Sequence, residues 1–197
     1  AAAAYDLARR GVKVLLVEQN DLTTGTSGRY HGLLHSGGRY VVSDFDTAVE
    51  CITENTTLRR IAPFAIEDTG GMFVATSQDP ADFPAKWAKA CAEAGIAAEK
   101  LATEEARAAE PALTHDIAAA YRVPDASCDS FDLNHGFITA ARTFGGDAWI
   151  YQKVTGFLRD GDQVVGADLV DTRTGEQRRV HAACVLNATG PWAGVVA

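Results

Sequence analysis

The apolar positions of this chain fall into short blocks whose period changes from one block to the next, and the changes predict an alternating α/β order. Residues 1–10, AAAAYDLARR, are strong helix formers with Arg9 and Arg10 in the last turn and Gly11 as the stop. The run VKVLLVE (12–18) is continuously apolar and closes on an acid, the pattern of a buried parallel strand. A helix is predicted from Asp44 to Ile61, capped by Ser43, with Ala48, Val49, Ile52 and Ile61 as its apolar stripe. MFVAT (72–76) reads as a strand entered through Gly70 and Gly71, and AAAYRV (118–123) as another. Helices are also predicted at Lys86 to Glu93, stopped by Gly95, and at Glu104 to Ala109, capped by Thr103 and ended by Pro111. A further one runs from Leu133 to Phe144 and ends at Gly145 and Gly146. The alternating runs of 149–182, broken at Asp160-Gly161 and Thr174-Gly175, predict a three-stranded meander. ACVLNATG (183–190) then reads as a buried strand entering a glycine turn. The first residues look like a helix already under way and NATGPWAGVVA (187–197) like one about to begin, so a segment of a longer protein is expected.

Composition narrows the functional classes. The 197 residues are 47% hydrophobic and 22% charged, ordinary globular values with length enough for a sizeable core. A net charge of -8 argues against non-specific binding to nucleic acid or to an anionic membrane surface, so an acidic ligand must be held by local basic residues. No run of about 18 apolar residues predicts a transmembrane segment. Cys51, Cys91, Cys128 and Cys184 are far apart, without metal-ligand spacing, and read as free thiols in a reducing cytoplasm.

Residues 18–40, EQNDLTTGTSGRYHGLLHSGGRY, carry the chemistry. A helix followed by a strand ending in Glu18 is the second half of a βαβ dinucleotide-binding unit, where the acid accepts hydrogen bonds from ribose hydroxyls. Many α/β domains share that pattern, so it is weak by itself. The loop TTGTSG (23–28) adds glycines and small hydroxyls, which let backbone N–H groups approach a pyrophosphate. HGLLHSGGRY (31–40) returns to apolar character while keeping glycines, as backbone packed against a flat ligand would. His31 and His35 stand at i, i+4, but no acid or cysteine lies nearby in sequence, so no metal site is expected.

VLLVEQNDLTTGTSGRYHGLLHSGGRYVV, VPDASCDSFDL (123–133) and NATGPWAG (187–194) together resemble the FAD-dependent glycerol-3-phosphate dehydrogenases of the D-amino-acid oxidase-like superfamily, with the catalytic subunit of the anaerobic bacterial type as the nearest branch. The resemblance implies a Rossmann-like FAD-binding fold of the glutathione-reductase-like type with a β-meander and part of an inserted substrate domain. FAD-binding portions would be 1–65 and 145–197, and 66–144 mainly the inserted portion. It implies that Glu18 holds the adenosine ribose with Gln19 beside it, and that Thr24, Gly25, Thr26 and Ser27 line the pyrophosphate and ribityl chain. Gly32, Leu33, Leu34, His35, Ser36 and Gly37 would lie along the flavin, Val154 would pair its backbone with adenine, and Ala188, Thr189, Gly190 and Trp192 would close over the dinucleotide. Arg39 and Tyr40 match a pair placed at the substrate, where a guanidinium suits a phosphate monoester; His35 is a candidate proton acceptor.

The reaction so implied is oxidation of sn-glycerol 3-phosphate to dihydroxyacetone phosphate, with electrons passed through partner subunits to a membrane quinone at the inner face of the cytoplasmic membrane. A sister flavoenzyme acting on L-2-hydroxyglutarate or an amino acid is the alternative, since an arginine also suits a carboxylate, and a non-catalytic nucleotide-binding module is another. Without the glycine-rich turn of the resembled family before Ala1, the chain alone is expected to bind FAD poorly and to be inactive.

Overall fold

The computed structural model describes residues 1–196. Its contacts form two compact units, Ala1–Tyr30 with the chain from Ser130 onward, and His31–Asp129 between them in sequence. The contact division therefore falls at 30/31 and 129/130.

In chain order the first half runs α1 (Ala2–Arg9), β1 (Leu15–Val17), β2 (Leu33–Leu34), α2 (Phe45–Ile61), β3 (Ile66–Glu67), β4 (Gly71–Ala75) and α3 (Phe83–Ala94). There follow β5 (Glu99–Leu101), α4 (Thr103–Ala109), β6 (Ala119–Val123), β7 (Ala126–Cys128) and α5 (Ser130–Thr143). The last part holds β8 (Asp147–Trp149), β9 (Gln152–Asp160), β10 (Gln163–Asp171), β11 (Gln177–His181) and a final short helix α6 (Ala193–Val196).

In the first unit β1 pairs with β8 in parallel, and α1 packs on α5 through Tyr5, whose ring lies 5.5 Å from that of Phe137 and 6.3 Å from that of Phe144. The expected buried strand is shorter and only half-buried, because β8 flanks it on one side alone among the described residues. The meander forms as predicted, in the order β11-β10-β9, with Leu169 at its buried centre. Residues 183–190 do not form the expected strand: no described strand pairs with them, and their backbone is left to solvent.

The second unit holds two antiparallel three-stranded sheets, β2-β7-β3 and β4-β6-β5. Its core gathers Val41, Ala48, Trp87, Cys91, Ile96, Tyr121 and Val123, with the Trp87 ring 4.9 Å from Phe73 and 5.1 Å from Tyr121. Two caps differ from expectation. Ser43 Oγ turns back and donates to the Tyr40 carbonyl, so α2 starts one residue later, where Asp44 accepts the Thr47 N–H at 3.2 Å. Thr103 lies inside the first turn of α4 rather than before it, and makes no capping bond. In α2 the expected stripe also fails in part: Val49 and Ile61 are exposed, and Asn55 is buried instead.

Candidate functional site

In the first unit the sequence around Glu18 is held by short backbone links to the segment that follows β8. The Glu18 N–H donates to the Trp149 carbonyl at 3.0 Å, and the Gln152 N–H donates to the Glu18 carbonyl at 2.8 Å. Glu18 Oε1 accepts the Asn20 N–H at 2.8 Å, which fixes the carboxylate at the strand end; Gln19 is exposed, and its carbonyl accepts from Thr172 Oγ1. Beyond it, Asp21 accepts the Tyr151 hydroxyl at 3.1 Å, and the Arg173 guanidinium covers the Tyr151 ring at 4.2 Å. The Asp21 carboxylate raises the Tyr151 pKa above its ordinary value by accepting that proton.

The loop after Asp21 is compact. Thr24 Oγ1 donates to the Asp21 carbonyl, residues Thr26–Gly28 make one tight helical turn, and a Cβ on Gly28 would stand 2.2 Å from the Thr23 carbonyl oxygen. Thr24, Thr26 and Ser27 are exposed, while Thr23 Oγ1 is buried without a partner among the described residues. Trp192 lies beside the loop, its ring 3.6 Å from where a Gly25 Cβ would be. Ala188, Thr189 and Gly190 are exposed in a turn organised by Asn187, whose Oδ1 accepts the Thr189 hydroxyl at 2.7 Å. Val154 sits on β9, the edge strand of its sheet, whose one partner strand among the described residues is β10.

In the second unit, residues 32–38 thread between β7, α2 and α3. The Gly32 carbonyl accepts the Cys128 N–H at 2.7 Å, and Leu33 and Leu34 pair with Ser127 and Ala126. Leu33 is exposed and His35 half-buried, whereas Ser36, Gly37 and Gly38 are buried, so the surface of this strip is presented by Gly32 to His35. The Trp87 indole N–H donates to the Gly38 carbonyl at 2.8 Å. The chain then turns at Tyr40, whose N–H donates to the Gly37 carbonyl, leaving Arg39 exposed and without an ion-pair partner among the described residues. Tyr40 is half-buried against the core.

Behind the strip lies a polar network that sequence spacing did not reveal. Asp125, 7% exposed, accepts the Ser36 N–H through Oδ1 at 2.7 Å and places Oδ2 3.5 Å from His35 Nδ1. Asn55 Nδ2 donates to the carbonyls of Leu34, His35 and Pro124 at 3.3, 3.2 and 3.1 Å. Its Oδ1 accepts Arg59 Nε at 2.8 Å, and Arg59 Nη2 donates to the carbonyls of Pro124 and Asp125 while Nη1 meets Asp68 at 2.8 Å. The acid that His31 and His35 lack nearby in sequence thus arrives in space from 90 residues beyond His35. No group of three or more His, Cys, Asp or Glu side chains able to hold a metal gathers among the described residues. The one sequence signal for the network was the VPD at 123–125, inside a block already singled out.

Comparison with known proteins bears on all of these segments. The sequence model of the FAD dependent oxidoreductase family matches residues 1–197. The chain is 43% identical over 192 residues to one subunit of the anaerobic glycerol-3-phosphate dehydrogenase of Escherichia coli K12, covering 98% of this chain and 35% of that protein. It is 46% identical over 202 residues to the corresponding subunit of the Haloferax volcanii enzyme, covering 98% and 34%. The chain thus spans about a third of the length of these curated relatives. Among solved structures, L-proline dehydrogenase from P. horikoshii superposes with a TM-score of 0.83 at 20% identity, covering 99% of this chain and 51% of the other. Glycerol-3-phosphate dehydrogenase from Bacillus halodurans, solved with FAD, superposes with a TM-score of 0.71 at 23% identity, covering 99% and 33%.

Proposed function

The chain belongs to the FAD-dependent oxidoreductase family and has its fold, and from that premise we propose that it forms the cofactor-binding part, with some of the substrate-binding part, of an enzyme that oxidises sn-glycerol 3-phosphate to dihydroxyacetone phosphate. The observation that carries the reading is the 43–46% identity, along 98% of the chain, to subunits of two anaerobic glycerol-3-phosphate dehydrogenases.

The residues present fit FAD. Thr23 Oγ1 and Ser36 Oγ are buried hydroxyls without partners among the described residues, an uncommon state, and each lies in a segment assigned to the cofactor. Exposed Thr24, Thr26 and Ser27 supply further donors, and Val154 on the edge strand β9 would pair its backbone with adenine. Glu18, held at its strand end, would accept the ribose hydroxyls, with Gln19 beside it. Trp192 and the turn at Ala188, Thr189 and Gly190 would cover the dinucleotide, and Gly32, Leu33, Leu34 and His35 would face the flavin with Ser36 and Gly37 behind them.

When bound, FAD supplies a hydride acceptor for the C2 carbon of the substrate. Arg39, exposed and unpaired among the described residues, would clamp the phosphate, with Tyr40 next to it near the C2 oxygen. His35 would accept the proton of the C2 hydroxyl. Electrons would leave to a membrane quinone through partner subunits, a reading supported by the relatives, each named as one subunit of its enzyme, and the protein would work peripherally at the inner face of the cytoplasmic membrane. No helix of the described residues is long and apolar enough to cross a membrane.

The test is anaerobic flavin bleaching in the purified, FAD-loaded full-length enzyme. Rapid bleaching with sn-glycerol 3-phosphate and none with L-2-hydroxyglutarate is expected. Bleaching with the hydroxy acid alone would move the protein to the sister activity and make the Arg39 clamp a carboxylate site. A colourless preparation that binds only adenine nucleotide would leave a non-catalytic module.

A further inference from the structure

We infer that Asp125 is a positioning residue that fixes the tautomer and orientation of His35 through a clamp built from Asn55 and Arg59; this rests on the assignment of His35 as proton acceptor. Three observations meet at one place. Asp125 is a buried carboxylate whose two oxygens are committed to adjacent residues, Oδ1 to the Ser36 N–H at 2.7 Å and Oδ2 toward His35 Nδ1 at 3.5 Å. An ionised carboxylate only accepts, so the ring nitrogen facing it must carry the proton. The Nδ1–H tautomer leaves the Nε2 lone pair free, which is the state a proton acceptor needs.

The clamp keeps the carboxylate in place. Arg59 Nη2 donates to the carbonyls of Pro124 and Asp125 themselves, at 3.0 and 3.2 Å, and Arg59 Nε binds Asn55 Oδ1. Asn55 Nδ2 in turn holds the carbonyls of Leu34 and His35, on the opposite side of the same arrangement. One amide and one guanidinium therefore tie the segment of His35 to the segment of Asp125 from helix α2. Gly71 admits Asp125 at this spot, since a Cβ there would lie 2.7 Å from the Asp125 Cβ. Among the described residues, Asp125 and His31, its ring 4.9 Å away, stand beside His35, with Arg59 behind Asp125.

Asp125→Asn separates positioning from support. The amide can still accept the Ser36 N–H through its oxygen, but its NH2 faces Nδ1 and demands a lone pair there, which drives the proton to Nε2. In the FAD-loaded full-length enzyme labelled with 15N-histidine, the His35 resonances are expected to change from protonated Nδ1 in the native protein to protonated Nε2 in D125N. Turnover should fall about 10- to 100-fold in kcat with KM nearly unchanged, as loss of a ligand-orienting partner does elsewhere. His35→Gln provides the second arm: adding D125N to H35Q should lower kcat no further, because the aspartate acts through the ring. An unchanged tautomer in D125N, or an equal further loss in the double variant, would overturn the inference. If D125N does not fold, the native enzyme decides: His35 protonated on Nε2 rather than on Nδ1 there would overturn the inference. The tautomer is read without substrate, so a wrong substrate assignment leaves this result standing on its own.

Discussion

Gly37 lies where the backbone of the HSGG turn runs against helix α2, with φ +97° and a would-be Cβ 2.4 Å from the Ala48 carbonyl oxygen. Gly37→Ala therefore meets both a left-handed backbone and a helix carbonyl, and should cost about 3 kcal/mol in urea denaturation. Gly32, at φ +74° with nothing within 4 Å of its Cβ position, meets strain alone, so Gly32→Ala should cost about 1 kcal/mol. Equal losses at the two sites would mean that the approach of the turn to α2 contributes nothing. At this scale the sequence was readable where the chemistry is local. Glu18 and the hydroxyl loop stand in one stretch and drew notice by residue type and spacing, while Arg39 drew notice through the resemblance. Asp125, Asn55 and Arg59 were not readable, because the partners that join them into one network across the fold, His35 to Asp125, His35 to Asn55 and Asp125 to Arg59, are 90, 20 and 66 positions apart in sequence. The acid judged missing beside the histidines was such a case.

Elements with a long period or clear stops matched expectation, and those whose identity depends on a neighbour did not. The meander was legible because its two turns announce themselves as Asp-Gly and Thr-Gly between alternating runs. Strand β8 was missed because three residues carry no period, and 183–190 read as a strand on apolar content alone, which a strand without a pairing partner does not satisfy. Helix α2 was placed correctly but its buried face was not: an amide in the midst of the expected stripe is buried because it serves three carbonyls. In the meander, the turn from β10 to β11 is tied by Asp171, which accepts the N–H groups of Arg173 and Thr174 and the Gln152 amide at 2.9, 3.0 and 2.7 Å. Those backbone donors hold its carboxyl below the usual carboxylate range. Because folding lowers this pKa, the stabilisation is present above the unfolded value of about 3.9 and is lost as pH falls through the folded one. Asp171→Asn should accordingly melt below the native protein at neutral pH, and the gap should close in acid as pH falls through the lowered folded-state pKa. A gap of constant size across that range would show that the charge contributes nothing to the turn.

At the scale of the whole molecule, two cysteines, one in each unit, differ sharply in burial. Cys91 sits in the core of the second unit with no exposed surface, and burial pushes its thiol up to about 11. At neutral pH only about one part in ten thousand of it is thiolate, the form that reacts, and reagent must also reach it. Cys184 lies in the exposed run that follows β11 in the first unit, where reagent meets no barrier. An alkylating thiol reagent should therefore modify Cys184 within the dead time of a slow assay and leave Cys91 untouched until the second unit opens. Cys51 and Cys128, half-buried in the second unit, should react at rates between those two. If opening and closing are fast relative to labelling, the Cys91 rate gives the free energy of opening of the His31–Asp129 unit directly. Gly37→Ala should then accelerate labelling of Cys91, by about a hundredfold for a loss of about 3 kcal/mol, and leave Cys184 unchanged. Labelling of Cys91 no faster in Gly37→Ala than in the native protein would mean that the approach of the turn to α2 adds nothing to the stability of this unit.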